Sequence, residues 1–393
     1  MNRIKAVPHQ NTVFRQITQL IPDKLIDRLV SQHDADAGIR KLPTKGLLHT
    51  LLLAQFAEAR GLRDIEAMLE SHDTARFHAG LPRARRSTLA EAAARRPLGV
   101  FTGVLTALIG QVTRKLRRDV GDCVRLIDST TVQLNRLSED WSRFSADLCG
   151  AKAHVVYDPD AGCPLYLDIS AARVNDITAA KAMPIEAGAT YVFDLGYYDY
   201  AWWARLEAAG CRIVSRLKKN TPLQVVETRA VPADAPHIIS DRIGFLPQRL
   251  SHSRKNPYEQ AVREVTVRLD NGTVLRIVSS DLDAPAVEIA DLYKRRWTIE
   301  LFFRWIKQML ELRHFYGTSQ HAVRMQIIVA MIAYVLIRLA HAAQTAVADL
   351  TRFARLVAAN VLHRRPVEAL LWDRGGPQPV PVQNRDQMVL GWV

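Results

Sequence analysis

The chain has 393 residues, 48% of them hydrophobic, and a formal net charge of +13. That apolar content excludes wholesale disorder, and the length allows two or three domains. The positive excess points to a polyanionic partner, nucleic acid first and an acidic membrane surface second.

Residues 1 to about 120 read as all-helical. Ile21 to Val30 is a short amphipathic helix. Thr44 can cap a helix running through Ala57, with Leu47, Leu48, Leu51, Leu52 and Phe56 at helical intervals. Gly61 breaks it, and Leu62 to Glu70 resumes with Ile65, Met68 and Leu69 inward. Such a pair permits a DNA-reading helix-turn-helix, and equally permits plain packing. Arg83, Arg85 and Arg86 follow, then Ser87 as an N-cap, then Arg95 and Arg96. The first 120 residues hold 20 Lys/Arg against 11 Asp/Glu, so most of the excess charge lies here. The clustering favours phosphate contact over a merely solvated face.

The character changes at Cys123. The stretch to Leu134 is rich in β-branched and apolar residues and reads as a strand. Lys152–Tyr157 and Pro164–Ile169 read as two more, joined by the turn from Asp158 to Gly162. Asp176–Met183 is a short helix and Ala189–Phe193 a strand ending at Asp194. Tyr200–Ala209 is a helix and Arg212–Leu217 a strand. This order describes an α/β fold with mixed strand directions. From 218 to 284 the pattern is all-β, with a strong hairpin turn at Asp270–Thr273, and reads as an insertion. Helices return at 286–312, about 320–344 and 349–371. The apolar run Ile327–Ile337 is too short to span a bilayer and reads as a buried helix. The tail from Asp373 is Pro/Gly-rich.

Four cysteines at 123, 149, 163 and 211 form no C-x-x-C pair, so neither a zinc site nor a disulfide framework is expected. With no apolar run at the start, a cytoplasmic protein is expected, associated with no membrane.

Tyr293 to Lys307 carries the densest chemistry. On a helix, Tyr293, Arg296, Glu300 and Lys307 fall within about 60° of one another, a stripe roughly 21 Å long. Cations grip phosphates, and a carboxylate beside them suits a divalent metal. A surface helix with ordinary salt bridges is the plainer reading. Asp128 sits in the first strand and Asp194 closes a later one. Asp158, Asp168 and Asp199 compete with them, since spacing alone separates none of the five. Trp297 and Trp305 suit base stacking or packing.

These residues resemble a family. Leu-Ile-Asp-Ser-Thr around Asp128, Phe-Asp-Leu-Gly-Tyr around Asp194 and Tyr293-x-x-Arg296-x-x-x-Glu300-x-x-x-x-x-x-Lys307 are similar to the motifs of DDE transposases. The last matches the Y-R-E-K signature of the bacterial insertion-sequence family numbered four. The likeness covers about residues 10 to 345. It implies a ribonuclease H-like mixed-sheet catalytic core with a β-rich insertion. An all-helical N-terminal domain precedes the core and C-terminal helices follow. The segments are 1–120, a basic DNA-binding domain; 121–217 and 285–345, the core; 218–284, the insertion; and 346–393, a helix and tail.

The resemblance further implies that Asp128, Asp194 and Glu300 cluster and hold two Mg²⁺ ions, with Mn²⁺ substituting. Tyr293, Arg296 and Lys307 would hold phosphates, with Arg83, Arg85, Arg86, Arg95 and Arg96 as further DNA contacts. The activity implied is cut-and-paste transposition. DNA is cut at the transposon end, and the freed 3′-OH attacks target DNA. The implied partners are double-stranded terminal inverted repeats and target DNA, bound by a dimer on paired ends. The competing functions are an inactive or domesticated end-binding repressor and a ribonuclease H-like nuclease without strand transfer.

Overall fold

The computed structural model describes residues 11–116, 123–143, 145, 148–249, 255–309 and 315–370. The expected tail from Asp373 lies outside them, as do the first ten residues and the end of the helix expected over 286–312. The chain divides into two compact units.

The first unit takes in residues 11–116, 132–150 and 304–370. Its helices run α1 (Val13–Thr18), α2 (Asp23–Gln32), α3 (Thr44–Phe56), α4 (Leu62–Ser71), α5 (Asp73–Ala79), α6 (Arg86–Arg95) and α7 (Leu98–Leu116), with the four-residue α8 (Glu139–Ser142) later. Thr44 does not cap its helix. It is the first residue of α3 after Pro43, and its hydroxyl donates to Asp36 Oδ1 at 2.6 Å. Ser87 likewise lies inside α6, which begins after Arg85. The α3 helix is buried continuously from Leu47 to Phe56, His49 and Gln55 included. Burial pushes the His49 imidazole down to about 4. A helix enclosed on every side cannot enter a DNA groove, so α3 is a packing helix, while α4 buries Ile65 and Leu69 and exposes Arg63, Asp64 and Glu70. Gly103 on α7 lets α2 approach closely: a Cβ there would stand 2.6 Å from Leu29 Cδ2.

The second unit takes in residues 123–131 and 151–303. Its strands are β1 (Val124–Leu134), β2 (Cys149–Asp158), β3 (Cys163–Ala171), β4 (Thr190–Val192), β5 (Arg212–Arg216), β6 (Gln224–Arg229), β7 (Ile238–Phe245), β8 (Ala261–Arg268) and β9 (Val274–Ser279). They form one nine-stranded sheet of order β3-β2-β1-β4-β5-β9-β8-β7-β6. Strands β1, β4 and β5 are parallel, linked through α9 (Asp176–Ala182) and α10 (Tyr200–Ala208). The pairs β2–β3, β5–β9, β9–β8, β8–β7 and β7–β6 are antiparallel. The block read from sequence as an insertion therefore continues the core sheet through β9. The aromatic cluster of Phe193, Tyr197, Trp202 and Trp203 is buried behind β4 and β5. Trp203 Nε1 donates to the Tyr197 carbonyl at 3.1 Å and ties α10 to the turn after Asp194.

The helix expected over 286–312 is two: α11 (Ala286–Arg295) and α12 (Trp297–Met309). The break falls at Arg296. The amides of Arg296 and Ile299 bond three residues back, each at 3.1 Å, a 3₁₀-like tightening. Two further helices follow in the first unit, α13 (Gln320–Ala342) and α14 (Leu350–Asn360). The run Ile327–Ile337 is buried throughout, as its composition predicts. By length and composition α13 could cross a bilayer, but 89% of its apolar window is buried in protein. The last expected helix stops at Asn360, and Val367–Ala369 is a 3₁₀ turn.

Candidate active site

Strand register brings the two aspartates together. Val124 to Leu126 on β1 pair with Thr190 to Val192 on β4, and the same offset places Asp128 beside Asp194. Thr190 to Val192 pair with Arg212 to Val214 on β5, and that offset places Arg216 beside Asp194. Partners in a parallel register point to the same face. Asp128 lies midway along β1 and Asp194 just past the end of β4, close enough for the charge of Asp194 to act on Asp128.

The break between α11 and α12 supplies the rest. Arg296 donates through Nη1 to Asp128 Oδ2 at 3.2 Å and through Nη2 to Glu300 Oε1 at 2.5 Å. Glu300 lies in the first turn of α12, where the helix dipole favours a carboxylate. The Tyr293 ring lies under the guanidinium, 5.9 Å from ring centre to Arg296 Cζ. Behind this face Ile299, Phe302 and Phe303 are buried, and Phe302 packs 4.9 Å from the Tyr157 ring on β2.

Asp128 is 17% exposed at its side chain. Burial pushes its carboxyl up to about 7, aided by the charges of Asp194 and Glu300 and opposed by the Ser129 amide and Arg296. Desolvated carboxylates close to others are costly unless a cation joins them. Among the described residues no three acidic, histidine or cysteine side chains are grouped to hold one ion. The Arg296 guanidinium stands between Asp128 and Glu300 as their counter-ion. The donor set itself, carboxylate oxygens short of positive charge, fits a hard divalent cation.

This has a pH consequence. The unfolded carboxyl titrates near 3.8 and the folded one near 7. Between those values the folded protein keeps a proton that the unfolded chain has lost. Asp128 therefore contributes stability below about 4 that is lost as pH rises through about 7. Melting in chelator across that window should show wild-type protein losing stability relative to Asp128→Asn. Parallel curves would mean that Asp128 is already ionised.

The other expected residues divide. Tyr293 is 7% exposed, so it shapes the floor of the site rather than an open phosphate contact. Arg296 is an ion-pair partner of two acids here, not a free cation. Lys307 is half-buried on α12, in the part of the chain that belongs to the first unit. Arg83, Arg85, Arg86 and Arg95 are exposed, Arg95 with Glu91 at 3.0 Å. Arg96 differs from these four: it is 8% exposed and donates to the Leu42 carbonyl at 2.9 Å, so its guanidinium is turned inward. Trp305 packs edge-on against Tyr334, and Trp297 is 37% exposed.

The competing aspartates have other partners. Asp158 is buried against Arg125 at 3.1 Å and accepts from two amides of its turn. Asp199 caps α10 and pairs with Lys181. Asp168 lies opposite His154 in the β2–β3 register. Sequence reasoning missed Arg216, Ser129, Lys152 and Asp176. Their proximity arises from strand pairing that no local pattern announces.

Carboxylates gathered at a parallel sheet with a guanidinium among them mark a candidate site for handling cations and phosphates. The family described as "Transposase DDE domain" matches residues 119–336, and a family described as "Domain of unknown function (DUF4372)" matches residues 9–82. A Sinorhizobium fredii protein bearing the name transposase y4zB is 41% identical over 300 residues, covering 76% of this chain and 82% of that protein. A Geobacillus stearothermophilus protein, named as a transposase for insertion sequence element IS5377, is 28% identical over 330 residues. That match covers 83% of this chain and 84% of the relative. A chain of the solved piggyBac transposase synaptic complex with hairpin DNA aligns with TM-score 0.44 and 11% identity, covering 92% of this chain and 78% of that one. The chain belongs to the DDE transposase family, whose members generally use divalent metals.

Proposed function

We propose that this protein is a cut-and-paste DNA transposase of the Y-R-E-K type, with a ribonuclease H-like core. The observation that carries the reading is the closeness of Asp128 and Asp194, with Glu300 brought to Asp128 by Arg296. Asp128, Asp194 and Glu300 would hold Mg²⁺, or Mn²⁺ in its place. When bound, two such ions supply charge neutralisation at the attacking and leaving oxygens of an in-line displacement.

The chain's own residues do the rest. Burial of Asp128 keeps water from screening the site, which strengthens every charge interaction there. Arg296 balances Asp128 and Glu300 and would be a contact for a phosphate lying among the acids. Lys307 is assigned a second phosphate contact further along α12. Water attacks the phosphodiester at the transposon end and breaks its P–O3′ bond, leaving a 3′-OH on the transposon and a 5′-phosphate on the flank. That hydroxyl then attacks a target phosphodiester and displaces the target's 3′-oxygen, which leaves as a 3′-OH. No protein nucleophile is required. We assign the protein to the bacterial nucleoid in the cytoplasm, working as a dimer on paired ends.

The test is a plasmid carrying the DNA that flanks the reading frame on both sides. Incubation with protein and Mg²⁺ should excise the segment and join its 3′ ends to a second plasmid. Cutting without joining would favour a plain nuclease, and binding without cutting a repressor.

Charge makes a separate prediction. Arg85→Ala with Arg86→Ala should weaken binding to all DNA and reduce the salt slope by about 0.9 per lost contact. Arg96→Ala should leave the slope alone and instead lower stability, by about 1.5–3 kcal/mol for its charged hydrogen bond. Gel shifts across a salt series and melting curves check both, and an unchanged slope in the double variant would make that face a bystander.

A further inference from the structure

We propose that Asp176 is a positioning residue of this site, holding the Asp128 strand and the Asp194 turn in register. The inference rests on the reading that Asp128 and Asp194 carry the chemistry. Asp176 opens α9 and touches elements unrelated to it in sequence. Its Oδ1 accepts from Ser129 Oγ at 2.7 Å and from Lys152 Nζ at 3.0 Å. Ser129 directly follows Asp128 on β1, and Lys152 stands on β2, so one oxygen clamps two neighbouring strands. Lys152 also donates to the Val174 carbonyl at 3.1 Å, which fixes the chain just before α9. The buried His154 ring packs on the same side, Nδ1 at 3.7 Å from Oδ1, and Nε2 bonds Ser170 Oγ at 2.8 Å.

The other oxygen faces the turn after Asp194. Asp194 Oδ1 accepts from the Gly196 amide at 2.8 Å and so shapes that turn. A Cβ on Gly196 would stand 3.0 Å from Asp194 Oδ1 and 3.4 Å from Asp176 Oδ2. The two carboxylates therefore both face the side of Gly196 where a Cβ would stand, and Asp194 would have to give by a few tenths of an ångström to admit one. Their charges converge beneath it: the Tyr197 phenol is held well above its usual value by burial, then by Asp128, Asp176 and Asp194. Asp176 is thus bonded to the residue after Asp128 and lies against the turn that Asp194 shapes, between the two acids. Groups that orient site carboxylates typically matter about 10–100-fold in metal affinity or activity.

The experiment uses the full chain, Mn²⁺ alone as the metal probe, and the flanking-DNA plasmid. Asp176→Ala should weaken Mn²⁺ binding, read by electron paramagnetic resonance, and cleavage by about 10–100-fold. Gel shifts in chelator should stay as in wild type, and melting should fall only by the two lost bonds, with the protein still folded. Asp176→Asn keeps the Oδ1 acceptor and should recover most of both. Unchanged Mn²⁺ affinity and cleavage in Asp176→Ala would overturn the proposal. So would an Asp176→Asn protein as inactive as Asp128→Asn, because that would make Asp176 a direct ligand. If Asp176→Ala does not fold, Ser129→Ala removes a single bond and should cost about tenfold; no loss there would also overturn it. A wild type that binds Mn²⁺ but never cuts would refute the transposase reading, and the Mn²⁺ series would still decide Asp176.

Discussion

Glu300→Gln should abolish cleavage while leaving DNA-end binding intact. The amide keeps the side chain's shape and can still accept from Arg296 Nη2, as Oε1 does now. It cannot supply the negative charge that a divalent cation needs. Losing one such ligand removes several kcal/mol of transition-state stabilisation, about a thousandfold or more in rate. Binding should tighten slightly, since one repulsion of phosphate is gone. The assay pairs gel shift and cleavage on the same flanking DNA. Normal cutting by Glu300→Gln would refute the enzyme reading. Lost binding in a folded variant would make α12 a DNA-grip element and favour the repressor.

Arg263→Met should destabilise the second unit by about 3–5 kcal/mol, because it strands a buried carboxylate. Arg263 and Asp241 are 4% and 2% exposed at their side chains and bond twice, at 2.8 and 2.6 Å. Asp241 on β7 would be left without that fork, deep in the sheet. At about 2–4 °C per kcal/mol, melting should fall by about 6–20 °C. The double variant Arg263→Met with Asp241→Leu should recover much of the loss, since an apolar pair of similar volume needs no counter-ion. Because β5 hydrogen-bonds to β9, the transition of β4 and β5 should move with it. A separate early transition, with the β1–β4–β5 core unmoved, would mean the four-stranded block folds by itself.

Local patterns carried much of this fold. Alternating β-branched residues located β1 to β5 within a few residues, and the Asn271-Gly272 turn located the β8–β9 hairpin. Asp128, Asp194 and Glu300 stood out in the sequence through motifs that resemble those of DDE transposases, and the structure places Asp128 and Glu300 on one guanidinium. The helix break at Arg296 was not legible. It has no Pro or Gly to announce it, and its reason is tertiary: Arg296 reaches back to Asp128 while Glu300 reaches Arg296. The inward turn of Arg96 was not legible for a related cause. Five arginines look alike in a string, and only packing selects the one that turns inward to the Leu42 carbonyl.

Helical periodicity, β-branched runs, turn residues and net charge are short-range properties, and the amino-acid order settles them within a few residues of each position. It settled the α/β class, the basic helical start and the buried character of α13. Register is long-range. Nothing near Asp128 says that residue 194 pairs 66 positions on, or that Arg216 takes the next place in that register. Nor does anything near Asp176 say that it will meet Ser129 and Lys152. Those choices belong to the closed sheet, where backbone hydrogen bonding demands one register and buried charges demand partners. Tertiary structure alone decided that the β-rich block extends the core sheet, that Arg296 is a counter-ion, and that a third aspartate, Asp176, bonds the residue next to Asp128.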